Sequence, residues 1–265
     1  MHKFDKDIAL SHISPLLFKT KVTDDWSINS VPNGGYILAI LANAMLHVSK
    51  KNDTPILTAN YISRCVSGDA DLLVEIFSES SQFTRLQTSL SQNGAEKVRS
   101  IGTFAEKKDT CFIERLESAP PEIAPLEKCL QVPALQNYTL MDRIDVRIDP
   151  AGAGWMLGQP GKKSEQRGWI KFHDDRPYDI PSIALIADSF PPAILASQGI
   201  ISWVPTIEFS VNIRNIPLTK WLKGVFRTRY ITCGLIEEDG EIWDENGGLV
   251  AISRQIAQFR NSEKR

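Results

Sequence analysis

Few residues in this 265-residue chain can carry chemistry by themselves, and that scarcity narrows the reading. The four histidines are His2, His12, His47 and His173, two of them close to the N-terminus. The four cysteines, Cys65, Cys111, Cys129 and Cys233, form no CxxC pair, which argues against a zinc site or a disulfide framework. No GxSxG segment offers a serine nucleophile. The glycines between Gly152 and Gly161 match neither GxGxxG nor GxxxxGK[ST], so no phosphate-cradling loop is present. No metal and no cofactor is called for.

Three polar residues can be weighed singly from their surroundings. Asp188 ends the apolar run IALIAD, and a carboxylate there is costly unless it is hydrogen-bonded or functional. Partial burial would raise its pKa, which suits a general base. The plainer alternative is a helix-end residue turned to solvent. Thr206 follows Pro205 and opens an alternating strand. Ile207, Phe209, Val211 and Ile213 take one face, and Thr206, Glu208, Ser210 and Asn212 the other. Taken singly it reads as a common strand opener. Gln255 shares a face with Ala251, Ser253, Ala257 and Phe259, whose small members leave room for a water or a carbonyl. Its plainer reading is an edge residue facing solvent.

The elements that must position them are legible. Asn33 suits the N-cap of a helix running to Lys50, apolar on nearly all sides and therefore buried. Strands follow at Pro55–Val66, Asp71–Ser80, Thr84–Ser91 and Lys97–Ala105, spaced as an antiparallel meander. Prolines 120, 121, 125 and 133 then break regular structure and mark a linker. Further on, Pro181 opens a short apolar helix, PSIALIADSF, cut by Pro191-Pro192. Strands at Thr206–Ile213, Trp221–Gly234, Leu235–Trp243 and Leu249–Phe259 complete the chain.

The second half repeats the first. LAILAN (Leu38–Asn43) lies over IALIAD (Ile183–Asp188) at an offset of 145. ILTANYISR lies over TIEFSVNIR at 150, and VRSIGTF over VAISRQI at 152. Three matches in one order indicate a duplicated domain. An all-apolar helix needs a twisted sheet curled about it, and two such units can pair edge to edge. Composition excludes other classes. With 30 basic and 32 acidic side chains the net charge is −2, so nothing calls for nucleic acid. The N-terminal MHKFDKDIALSHISPLLFK has no run long enough for a signal peptide or a membrane span, and cytoplasmic location is the default expectation.

The segments NGGYILAI, IALIADSFPPAI, WVPTIEFSVNIR and GLVAISRQIAQFR resemble the thioesterase-like superfamily, closest to the bacterial acyl-CoA thioesterase II type. The likeness covers most of the chain and is weakest from about Glu117 to Gly161. It implies an α+β double hotdog, two helix-wrapped antiparallel sheets joined into one continuous sheet. The expected division is an N-terminal hotdog over 1–118, a linker over 119–140 and a C-terminal hotdog over 141–265. It implies acyl-CoA as substrate, assembly into a homo-oligomer (dimer or higher), and a water activated by Asp188 and held by Thr206 and Gln255. Gly34, Gly35 and Tyr36, at the first helix start, are the candidates for substrate and oxyanion contacts. Asn33 stands where many relatives carry His. The first half has Asn43, Ile56 and Thr103 at the positions aligned with the trio, and so no carboxylate. Arg214, Arg227, Arg229 and Lys223 are candidate CoA-phosphate contacts, or simply solvated strand charges. Two other readings stand beside hydrolysis. One is a non-catalytic acyl-CoA binder. The other is a hotdog hydratase, whose chemistry usually needs an Asp–His pair.

Overall fold

The structure, a computed structural model, describes residues 1–51, 53–106, 113–200 and 202–261. Cys111 lies outside them; Cys65, Cys129 and Cys233 are free thiols.

The helix expected after Asn33 forms. After a short N-terminal helix (α1, Lys3–Asp7), α2 runs from Gly34 to Val48. The Asn33 side chain accepts the Tyr36 amide at 3.0 Å, satisfying one of the orphan donors of the first turn. Ten α2 residues, from Gly35 to Met45, are buried, as an all-apolar sequence requires. The helix α3 (Ile180–Ile186) is shorter than its sequence suggests. Asp179 and Ser182 close a capping box at its start. It stops at Ile186, where the chain tightens into i→i+3 bonds from the Asp188 amide to the Leu185 carbonyl and from the Ser189 amide to the Ile186 carbonyl. Pro191, which biases Phe190 out of the helical region, keeps it from resuming.

The strands of the main sheet, in chain order, are β1 Ser11–Ser14, β2 Leu17–Val22, β3 Asp53–Tyr61, β4 Gly68–Glu79, β5 Phe83–Gln92, β6 Ala95–Ala105 and β7 Leu130–Gln131. They continue with β8 Ile144–Ile148, β9 Glu165–Phe172, β10 Thr206–Ile213, β11 Leu222–Arg227, β12 Ile231–Thr232, β13 Leu235–Asp244 and β14 Leu249–Gln258. The stretch 221–234, expected as one strand, is two. Glu237 accepts the amides of Arg229 and Tyr230, and Cys233 and Gly234 take left-handed backbone angles that turn the chain.

All pairings are antiparallel, in the order β1-β2-β4-β5-β6-β3-β10-β14-β13-β11-β9-β8-β7, with β12 beside β13. Outward from the β3–β10 junction the order is β6, β5, β4, β2 on one side and β14, β13, β11, β9 on the other. The duplication is therefore a pseudo-twofold, and the two hotdogs share one continuous sheet. At its centre Ala59 faces Phe209, its equivalent at the 150-residue offset, and Thr58 Oγ1 meets Ser210 Oγ at 3.0 Å. On the inner side α2 and α3 pack against each other. No helix among the described residues is long and apolar enough to cross a membrane.

Candidate active site

The start of α2 and the end of α3 meet at Asp188. Its Oδ2 accepts the Gly35 amide at 2.8 Å and Asn33 Nδ2 at 3.0 Å, and Asn33 Nδ2 also reaches the Asp188 carbonyl at 2.8 Å. Asn33 thus works twice, capping α2 through its oxygen and holding Asp188 through its nitrogen. Oδ1 makes no hydrogen bond within the described residues, and Asp188 is half-buried. Burial pushes its carboxyl up to about 6, against the lowering pull of the Gly35 amide and Asn33. One carboxylate oxygen is thereby fixed by two donors from the other half of the molecule, and the second is left open. Behind Gly34, Tyr61 Oη donates to the Gly34 carbonyl at 2.7 Å. A Cβ at residue 34 would lie 2.9 Å from Asp188 Oδ2, so only glycine lets the carboxylate approach this backbone.

Thr206 and Gln255 are joined directly: Thr206 Oγ1 donates to Gln255 Oε1 at 2.8 Å. Strict alternation would have turned Thr206 to the outer face, away from Phe209. A β-bulge prevents this. Thr206 pairs with Ala257 while Glu208 pairs with Ile256, leaving Ile207 extra. Ile207, which alternation groups with Phe209, is 43% exposed, and Thr206 swings onto the face shared by Phe209 and Gln255. Bulges commonly re-aim a side chain in this way.

Of the oxyanion candidates, two amides are engaged. The Gly35 N–H goes to Asp188 and the Tyr36 N–H to Asn33, so the expected free donors at those positions are not offered. Sequence reasoning missed Glu238. It is buried in β13 and accepts Gln255 Nε2 at 2.9 Å on Oε1 and the Ala193 amide on Oε2. Ala193 is presented by the turn after Asp188, whose Pro191 and Pro192 carbonyls are held by Gln166 Nε2. The signal was available: Ile236, Glu238, Gly240 and Ile242 alternate on the buried face.

At the pseudo-equivalent position, where the start of α3 nears α2, lies a cavity of about 480 Å³ lined by Asn43, Asp179, Ile180, Arg176 and Asp5 among others. Asn43 Nδ2 donates to the Ile8 carbonyl, and both carboxylates pair with Arg176. No unpaired carboxylate stands there. The histidines are elsewhere. His47 packs on His12 and Phe18, His173 reaches the Met141 carbonyl, and His2 pairs with exposed Asp174. No Asp–His pair stands at Asp188. Among the candidate cations, Arg227 is bound by Glu165 and Glu241, Arg229 by Asp239, and Lys223 lies over Trp169. Arg214 is exposed.

Comparison with known proteins follows the same division. Solved structures resemble the chain over nearly its whole length. A candidate thioesterase II of Thermobifida fusca shares 22% identity at a TM-score of 0.89, covering 98% of each chain. A hot dog fold protein of Alicyclobacillus acidocaldarius shares 20% at 0.87, again over 98% of each. The acyl-CoA thioesterase II TesB2 of Mycobacterium marinum shares 17% at 0.78, over 99% of this chain and 100% of the other. Dehydratase domains match more distantly, at TM-scores of 0.59 and below. No curated protein matches the sequence. Residues 22–105 match the family model of the acyl-CoA thioesterase N-terminal domain, and residues 119–259 that of the C-terminal domain. With both halves matched in order, the chain belongs to the acyl-CoA thioesterase family and is a thioester hydrolase of double-hotdog fold.

Proposed function

We propose that the chain hydrolyses acyl-CoA thioesters to free acid and CoA at one site, built on Asp188, Thr206 and Gln255. The observation that carries this is the Asp188 carboxylate, with one oxygen clamped by Asn33 and Gly35 and the other open. A water donating one hydrogen to Asp188 Oδ1 and the other to Thr206 Oγ1 keeps a lone pair for the thioester carbonyl carbon. The raised pKa makes Asp188 a better base than an ordinary aspartate while leaving it ionised at neutral pH. Of the first-turn amides of α2, that of Gly34 is the donor left for the developing oxyanion. The Gly35 amide instead orients the base. The other half, with Asn43 bonded to Ile8 and its acids bonded to Arg176, is read as silent.

The test is a panel of acyl-CoA esters from short to long, followed by free-thiol release. Hydrolysis of at least one length class is expected, and Gln255→Leu is expected to lower kcat by roughly a hundredfold. No thiol release from any member would sink the reading. Acyl-CoA binding without turnover would make the chain a binder instead.

The reading includes self-association. Ile56, Leu73, Ile76, Phe77, Ile101 and Ile252 are exposed on strands of the main sheet. Sedimentation at micromolar concentration is expected to give a mass of at least twice 29.6 kDa, and a monomer would exclude it.

A further inference from the structure

One carboxylate of this region has no part in the water-activating trio. Glu238 lies opposite Gln255 in the sheet and is 4% exposed. Burying a carboxylate is costly unless its oxygens are bonded, and here both are, by Gln255 Nε2 and by the Ala193 amide. Thr206 in turn donates to Gln255 Oε1. The result is a directed chain. Thr206 O–H points to Gln255, Gln255 N–H points to Glu238, and Ala193 N–H meets Glu238 from the far side.

A side-chain amide has a donor end and an acceptor end of nearly the same shape, so its neighbours decide which way it faces. The Ala193 amide can only donate, and an ionised carboxylate can only accept. Together they turn Gln255 Nε2 towards Glu238 and Oε1 towards Thr206. The Thr206 hydrogen is then committed to Gln255, and its oxygen faces outward as an acceptor. A protonated Glu238 could donate to Gln255 Oε1 instead. The amide would turn over, Nε2 would donate to Thr206, and the Thr206 hydrogen would point at the lone pair the water needs.

The geometry points to Glu238 as a positioning residue, whose ionised carboxylate sets the direction of the Glu238–Gln255–Thr206 chain and makes Thr206 an acceptor for the attacking water. This rests on the hydrolytic reading of the site. Burial pushes the Glu238 carboxyl up to about 7, and the charges of Asp188 and Glu237 add to the rise. The Ala193 amide and Gln255 pull it down. Next to it in the strand Asp239, turned the other way by alternation, pairs with Arg229 and Arg254. The direction of the chain therefore changes in the neutral range.

The experiment has two arms. The first records the Gln255 side-chain ¹⁵N–¹H signals of the whole protein from pH 5 to 9, assigned by their loss in Gln255→Leu. The second measures kcat and KM over the same range for wild type, Glu238→Gln and Asp188→Asn. The expected result is a Gln255 signal and a kcat in wild type that share an inflection near pH 7. In Glu238→Gln that inflection disappears from both, and kcat falls about ten- to a hundredfold with KM within twofold, the usual effect of losing a group that orients a working one. A wild-type Gln255 signal flat across the range overturns the inference, even if the variant does not fold. So does a Glu238→Gln enzyme with unchanged kcat and an unchanged acid limb. Both outcomes leave hydrolysis by Asp188 standing. Absence of turnover in wild type would instead remove the hydrolytic reading and, with it, the role of the chain in catalysis.

Discussion

Replacing Asp188 by Asn is expected to abolish most hydrolysis while raising the melting temperature at pH 8. The two effects have one cause. The carboxylate is held at the meeting of two helix ends, where burial disfavours its charge and pushes its pKa up to about 6. In the unfolded chain the same group titrates near the ordinary aspartate value of 3.8. Between these values the folded state binds more protons than the unfolded, so stability falls as pH rises through this window. The penalty is absent below about pH 4 and fully present above about pH 6. A shift of this size corresponds to at most about 3 kcal/mol. An asparagine keeps the shape and can still accept from Gly35 and Asn33 through its oxygen, but carries no charge. Its gain should appear at pH 8 and vanish at pH 4. Loss of the base should lower kcat by about 10²- to 10⁴-fold, with acyl-CoA binding retained. Thiol release and thermal melts at the two pH values check both halves. Equal melting temperatures for the two proteins at pH 8, or a kcat within tenfold of wild type, would contradict the account.

How much of this was legible in the letters depended on whether neighbours in sequence or in space decide each feature. The start of α2 was readable at Asn33 because capping is local. The duplication was readable because three segments, one helical and two in strands, match in the same order at offsets of 145, 150 and 152. Asp188 drew notice as a charge in an apolar run. What it touches was not readable: Asn33 and Gly35 are more than 150 residues away in the chain and meet it only because α2 and α3 cross. Thr206 was found as a residue but placed on the wrong face, since alternation assumes unbroken pairing and the bulge at Ile207 breaks it. Glu238 stood in the run Glu237-Glu238-Asp239, which resembles a solvated edge. Its neighbours on the buried face, Ile236 and Ile242, marked it out, but its two partners lie in other elements.

The same crossing makes Gly35→Ala the change with the largest expected effect on the fold. In an ordinary helix interior this substitution stabilises, by up to about 1 kcal/mol. Here the added Cβ would lie 2.7 Å from the Ala184 carbonyl oxygen, 2.8 Å from Asp188 Cβ and 3.0 Å from the Leu185 carbonyl oxygen. Two of the three neighbours are backbone. The helix that owns them cannot easily withdraw, since its start is pinned by the Asp179–Ser182 capping box and its end runs into the turn that Gln166 holds. Relief requires α2 and α3 to separate, opening a core in which both are buried. Overpacking of this kind costs about 1–3 kcal/mol or more. Net destabilisation of roughly 2 kcal/mol would lower the melting temperature of a chain this size by about 4–8 °C. Asp188 would be displaced with the helix end, and a shift near 1 Å is enough to lose about a hundredfold in rate. Gly34→Ala is the informative companion. Its Cβ would meet the Asp188 Oδ2 and the Tyr61 ring and hydroxyl at 2.9–3.1 Å, all side-chain atoms that can yield. That variant should keep its melting temperature within a few degrees and lose hydrolysis, because what yields is the base itself. A Gly35→Ala protein melting at or above wild type would mean that the two helices are free to part, and that the contact between the halves does not set the position of Asp188.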